Sequence, residues 1–290
     1  MKLLTIFTPT YNRAHILGKL YESLCNQTST NFIWLVVDDG SEDNTSSLIK
    51  QWKEEGVIDI NYFKQENGGK MRAHNNGVMN ASTELFFCVD SDDYLTNNAV
   101  ELIEKKWNHN IMHNPNICGI IAYKSIVRNG YNSIICPFPN LNECKLYELY
   151  STGFKGDTSL VFKTEVLKQH PFPEIEGEKF ITEAYVYEKI DQKYKYELLA
   201  KSLMVCEYRE DGYTRNITKV HNDNPHGMAL YFNQHAKYTL NGFIDRLRSV
   251  MYYIIYAKKA SMDSIYEKSN YKGVIYLTAL MLSVFYKDRV

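Results

Sequence analysis

The chain has 290 residues, with 33 Lys and Arg against 34 Asp and Glu, a formal net charge of −1 and 44% apolar residues. Near neutrality gives no reason to expect nucleic acid as a partner, and no stretch reaches the ~18 apolar residues of a membrane span. Six cysteines, none in a C-x-x-C pair, read as reduced, cytosolic usage rather than a disulfide framework.

Met1 to Phe7 is too short and too quickly polar for a signal peptide, and reads as strand. Leu3 to Thr8 is an apolar, β-branched run ended by the loop Pro9-Thr10-Tyr11-Asn12-Arg13. Ile16, Leu17, Leu20 and Leu24 recur at helical spacing. Phe32 to Val37 predicts a second strand, stopped by Asp38-Asp39-Gly40-Ser41, and Asn44 or Thr45 caps a helix carrying Leu48, Ile49 and Trp52. Ile58 to Phe63 predicts a third strand, Glu66 to Lys70 a loop, Arg72 to Met79 a helix, and Leu85 to Val89 a fourth strand. This alternation predicts an α/β fold with a parallel sheet flanked by helices. Ligands bind such sheets at the carboxyl ends of the strands, and every polar loop named here falls at such an end.

The second half is less regular. Ala99 to Trp107 reads as helix, Ile117 to Ile126 as strand, and Lys155-Gly156-Asp157-Thr158 precedes the apolar run Ser159 to Phe162. Ala200 to Tyr208 reads as a further strand, and from Pro225 the pattern is helical.

Asp90, Asp92 and Asp93 place three carboxylates within four positions after the fourth strand. Such crowding is costly where water is excluded, and a hard divalent cation relieves it through oxygen ligands. A solvated acidic turn before a helix is the plainer alternative. Gly68-Gly69 suits an ordinary tight turn as well as a phosphate cradle.

The ordered motifs Thr8-Pro9-Thr10-Tyr11-Asn12-Arg13, Val37-Asp38-Asp39-Gly40-Ser41-x-Asp43-x-Thr45, Asn67-Gly68-Gly69-x-x-x-Ala73-x-Asn75-x-Gly77 and Asp90-Ser91-Asp92-Asp93 resemble those of family-2 glycosyltransferases. The resemblance implies the GT-A fold, a nucleotide-sugar donor, a divalent metal (Mn2+ or Mg2+) and inversion at the anomeric carbon. It implies that Thr8, Pro9, Tyr11 and Arg13 belong to the donor site beside the base, with Asp38 or Asp39 accepting from uracil or ribose. Asn67, Gly69, Lys70 and Asn75 would hold the donor, chiefly its diphosphate. Asp92 is the first choice for the metal, Asp90 and Asp93 would hold the ribose, a metal-bound water or the metal itself, and Ser91 would bind the donor.

In the family the general base is usually the Asp of a Glu-Asp pair in the second half. Thr182-Glu183 occupies that place here, which makes Glu183 the expected base, with Glu178 and Asp157 in reserve. A first-turn helix acid is the structural alternative for Glu183. Glu207 to Asn216 resembles a loop that closes over the donor, with Arg215 or His221 near the diphosphate.

From Lys237 to Val290 nine basic residues stand against four acidic ones, and Phe243, Leu247, Met251, Ile254 and Ile255 repeat at helical spacing. Such a helix suits an anionic membrane surface, packing on the catalytic part, or a homodimer interface. The expected organisation is a catalytic domain over 1–224, with a donor half (1–98) and an acceptor half (99–224), and a helical extension over 225–290. The expected function is transfer from a UDP-sugar to a hydroxyl of a glycan or lipid-linked acceptor, in bacterial surface polysaccharide synthesis. The enzyme would transfer a hexosyl or N-acetylhexosaminyl group in the cytoplasm, at the inner membrane face. The competing readings are a nucleotidyltransferase and a non-catalytic nucleotide-sugar or glycan-binding module.

Overall fold

The computed structural model describes residues 2–107, 111–128, 131–206, 216–238 and 242–286. The chain forms two compact units, one of Met1–Pro171 with Lys193–Arg209, the other of Phe172–Gln192 with Glu210–Val290. The segment carrying Glu183 is thus grouped with the C-terminal helices.

The first unit begins with β1 (Leu4–Thr10), α1 (Leu17–Cys25), β2 (Phe32–Asp38), α2 (Thr45–Glu55), β3 (Ile60–Lys64), α3 (Lys70–Asn80) and β4 (Leu85–Cys88). These are the expected apolar runs, and β1 is buried along all seven residues, as a strand covered on both faces must be. β1, β2, β3 and β4 are parallel. The register brings Thr10, Asp38 and Lys64 level at the carboxyl edge.

β1 runs two residues past the expected end, through Pro9. Phe7 O accepts from Val89 N while Thr10 O accepts from Asp39 N, so Pro9 faces the β4 side. Pairing there has already stopped at Phe7 with Cys88, so the missing N–H interrupts no ladder bond.

The sheet continues through β5 (Tyr94–Leu95), α4 (Ala99–Lys106), β6 (Ile117–Arg128), β7 (Tyr131–Ser133), β8 (Glu143–Cys144), α5 (Leu146–Ser151), β9 (Thr158–Lys163) and α6 (Thr164–Lys168). After α7 (Ala184–Lys193) comes β10 (Lys195–Cys206), giving the order β3-β2-β1-β4-β9-β6-β10-β5. β9 is antiparallel to both β4 and β6, so the sheet is mixed beyond its parallel first half. β10 begins five residues before the expected strand and absorbs register shifts around Ser202. Two glycines permit close approach. A Cβ at Gly119 would lie 1.9 Å from Val161 O, and one at Gly77 would lie 2.4 Å from the Phe7 ring. The second lets α3 close down on β1, with its first residue, Lys70, at the carboxyl edge.

The second unit contains α7, α8 (Ile217–Asp223), α9 (Pro225–Lys237), α10 (Phe243–Lys259), α11 (Ile265–Lys268) and α12 (Gly273–Tyr286). Its core joins Met228 and Ala236 of α9, Val250, Met251 and Tyr253 to Ala257 of α10, and Tyr276 and Ala279 of α12. The apolar repeat of α10 is therefore spent largely inside its own unit. Among the described residues no helix is long and apolar enough to cross a membrane.

Candidate active site

Three strand-end loops are tied together by side chains that accept backbone N–H groups. Asp38 is wholly buried at the end of β2; its carboxylate accepts from Ser41 N at 2.7 Å and from the Tyr62 hydroxyl at 2.6 Å. Burial, with Asp38 adding, pushes the Tyr62 phenol up to about 12. Asp39 accepts from Gly68 N and Gly69 N at 2.8 and 2.7 Å, and from Gln65 Nε2 at 2.8 Å. Gly69 adopts φ 92° and Gly40 φ 89°, both in the region that favours glycine. The N–H groups of the Gly-Gly turn therefore face Asp39 in this structure rather than a diphosphate. Asn12, itself at φ 54°, pins the first loop to the second by donating its N–H to Ser41 Oγ and accepting from Glu42 N, both at 2.8 Å. Thr8 Oγ1 accepts from Trp34 Nε1 at 3.0 Å within the sheet, Pro9 is buried, and Tyr11 is exposed beside them. Arg13 and Asn75 are half-buried.

The acidic turn follows β4 and is closed by Asp93 N donating to Asp90 O at 3.0 Å. Lys70, the first residue of α3, places its ammonium 2.7 Å from Asp90 Oδ1. Lys124 of β6 places its own 2.6 Å from Asp93 Oδ2. Asp92 has no hydrogen-bond or ion-pair partner among the described residues, and Ser91 is buried beside it. Burial opposes ionisation of Asp90, but Lys70 and Lys124 outweigh it and hold the carboxyl below its usual range. Burial pushes Asp93 up to about 6 against the pull of Lys124, with Asp90 and Asp92 adding to the rise. Burial, followed by the charge of Asp93, pushes the neighbouring Cys206 thiol up to about 12. His74 of α3 lies edge-on to Phe7 and Phe86, and burial followed by Lys70 pushes it down to about 3. It is neutral at working pH.

These carboxylates do not form a closed metal cage. Among the described residues no group of three or more His, Cys, Asp or Glu is placed to hold an ion. Two of the three turn carboxylates already carry a lysine, which leaves Asp92. One unpaired carboxylate in an acidic turn fits an ion of the Mg2+ or Mn2+ type whose other ligands are water and substrate phosphates.

The three base candidates stand apart in kind. Glu178 clamps the start of α9: its two carboxylate oxygens accept from His226 N and Gly227 N, both at 2.7 Å. Glu183 is half-buried just ahead of α7, where its carbonyl accepts from Val186 N and Tyr187 N. Asp157 belongs to the sheet unit, where its carbonyl accepts from Lys124 N at 3.1 Å. Burial lowers His221, which lies against the Phe180 ring. Arg215 and the loop from 207 to 215 lie outside the described residues.

The sequence reading missed Lys124, Tyr62 and Gln65. Lys124 did leave a signal: it is the one charged residue in the apolar run Ile117 to Ile126. Tyr62 and Gln65 left none, because their roles come only from long-range pairing.

A family model described as "Glycosyl transferase family 2" matches residues 5–170. The chain is 27% identical over 206 residues to the poly(ribitol-phosphate) beta-N-acetylglucosaminyltransferase TarP of Staphylococcus aureus, covering 70% of this chain and 59% of that protein. It is 27% identical over 179 residues to the GalNAc(5)-diNAcBac-PP-undecaprenol beta-1,3-glucosyltransferase of Campylobacter jejuni, covering 60% and 56%. Identity reaches 37% over 103 residues with glycosyltransferase GlyA of Streptococcus pneumoniae, 36% of this chain but only 15% of that one. The chain therefore spans little more than half the length of the first two relatives. Among solved structures, S. aureus TarS 1–349 in complex with UDP-GlcNAc aligns with TM-score 0.67 at 18% identity, over 98% of this chain and 81% of that chain. A mannosyltransferase from Pyrobaculum calidifontis, solved with GDP-Man and Mn2+, aligns with TM-score 0.52 at 18% identity, over 97% and 79%.

Proposed function

The chain belongs to glycosyl transferase family 2 and has the GT-A fold, and from that premise we propose that it moves a hexosyl or N-acetylhexosaminyl group from a UDP-sugar to a hydroxyl of a glycan or lipid-linked glycan. The observation that carries this reading is the acidic turn, in which Asp90 and Asp93 each face a lysine and Asp92 is left to a ligand. The UDP-GlcNAc bound to TarS supports a UDP donor, and the undecaprenol-linked acceptor named for the Campylobacter relative supports a lipid-linked one. Work at the inner face of a membrane is part of the same proposal.

Asp92 would hold a Mn2+ or Mg2+ ion, which supplies charge neutralisation for a departing diphosphate. The remaining steps belong to the chain. Tyr11, which is exposed, would stand beside the base with Thr8 and Pro9 buried behind it, and Arg13 would reach the donor from the same loop. Asp39 holds Gly68 and Gly69 and so fixes the entry to α3, from which Asn67 before the helix and Lys70 and Asn75 within it would meet the donor. Lys70 and Lys124 bring two positive charges to the turn, which lowers the cost of admitting a diphosphate. Glu183 takes the proton of the acceptor hydroxyl as general base.

The experiment is nucleotide release from UDP-GlcNAc and UDP-Glc, with Mn2+ or with chelator, for wild type and Asp92→Ala. Mn2+-dependent release that falls at least ~100-fold in the variant is expected. Equal release with chelator, or full activity in Asp92→Ala, removes the metal assignment. Pyrophosphate release from a nucleoside triphosphate would instead mark a nucleotidyltransferase.

A further inference from the structure

The amphipathic repeat of α10 is the obvious membrane candidate in the sequence, but the structure exposes a different helix. Met251, Ile254 and Ile255 of α10 are buried in the helical unit, and its exposed large apolar residues, Phe243 and Ile244, are confined to the first turn. α12 packs Tyr276, Ala279 and Ser283 inward and leaves Val274, Leu277, Met281, Val284 and Phe285 between 56% and 79% exposed. These five positions fall at i, i+3, i+7, i+10 and i+11, one continuous stripe along the helix. No charged residue interrupts the 14 residues of α12. At ~1.5 Å per residue its 14 residues span roughly 21 Å, too short to cross a ~30 Å hydrocarbon core.

Charge selects the occupant. The segment from Lys237 onward holds nine basic and four acidic residues, leaving 24 basic against 30 acidic in the rest of the chain. Exposed Lys258 and Lys259 end α10, Lys268 ends α11, and Lys272 precedes α12; Lys287 and Arg289 follow it in sequence. Two copies meeting through α12 would bring two such basic segments together, which is unfavourable. An anionic lipid surface takes the apolar stripe into its acyl boundary and the lysines onto its headgroups. Exposed Tyr266 and Tyr286 have the amphipathic rings that favour that boundary.

We propose that the exposed face of α12 binds an anionic phospholipid bilayer in the plane of its interface, and that it, rather than α10, is the membrane-contacting helix of this protein. This deepens the inner-membrane-face reading given above and is independent of which sugar is moved. The test is co-sedimentation of the full chain with phosphatidylcholine vesicles, with and without phosphatidylglycerol, alongside light scattering of the free protein. Wild type is expected to bind the phosphatidylglycerol vesicles preferentially. Leu277→Glu with Met281→Glu should lower the bound fraction ~10-fold or more, with unchanged melting temperature and unchanged nucleotide release in solution, because both side chains already face water. Equal binding by wild type and variant, or no binding by either, overturns the proposal. So does a wild-type dimer that the same variant converts to monomer, since the face would then belong to a second copy. Wild-type protein that releases nucleotide but binds neither kind of vesicle removes this inference alone; wild-type protein that binds the phosphatidylglycerol vesicles but releases no nucleotide removes only the transferase reading.

Discussion

Lys124 on β6 and Asp93 on the acidic turn form an ion pair of 2.6 Å in which the carboxylate is only 4% exposed. The pair joins the middle of a strand to a turn 31 positions earlier. Removing one partner of a buried pair typically costs about 3–5 kcal/mol, because the other charge is stranded.

Lys124→Met should therefore destabilise the fold, and the loss should depend on pH. Asp93 already titrates near 6, and without Lys124 it titrates higher. A raised carboxyl pKa means that the folded state holds the proton more tightly, so stability falls as pH rises through the window from the ordinary value to the raised one. The variant's melting temperature should trail wild type clearly at pH 8 and much less at pH 5. Adding Asp93→Asn should recover most of the difference; no recovery would mean that Lys124 acts through packing alone.

His74 gives the opposite slope. Its folded pKa is pushed down to about 3 from an ordinary 6.5, so the unfolded chain binds the proton more readily between those values. Stability from this group is complete above pH 6.5 and drains away as pH falls below it. A melting-temperature profile should decline over that range, and His74→Gln should flatten the decline. A variant profile parallel to wild type would assign the acid sensitivity elsewhere.

Asp39→Asn should disorder the Gly-Gly turn. The carboxylate accepts three N–H donors, two of them backbone, and an amide presents an N–H to at least one of them. Hydrogen bonds to charged groups are worth about 1.5–3 kcal/mol each. The expected outcome is a UDP-sugar Kd weakened ~10-fold or more by calorimetry, with a smaller loss in Gln65→Ala. An unchanged Kd would separate the turn from donor binding.

Glu183→Gln and Glu178→Gln should divide chemistry from structure. General bases contribute ~10²–10⁴-fold in rate, so Glu183→Gln should lose turnover by that order while keeping donor affinity and melting temperature. Glu178→Gln weakens the clamp on α9 and should cost ~1 kcal/mol of stability, the scale of a helix cap. Normal turnover in Glu183→Gln would return the base role to Asp157.

The sequence alone determined the order of strands and helices through the first hundred residues, and the gathering of the four polar loops at one sheet edge. Both follow from local periodicity and from the direction of parallel strands, so the nearby residues suffice. It also placed Asp92 in the one motif rich enough in charge to need a cation or a cationic partner. Only the tertiary structure decided how that charge is met. Lys70 reaches Asp90 across 20 positions and Lys124 reaches Asp93 across 31, while Asp39 takes the N–H groups of a turn about 30 positions away. The same holds for Glu178, committed to α9 48 and 49 positions on, and for α10, whose apolar repeat is buried from Met251 onward while the outer face of α12 is left bare. Local pattern says which faces are apolar and which side chains carry charge. Which of them find each other depends on how distant segments pack, and that information is not local.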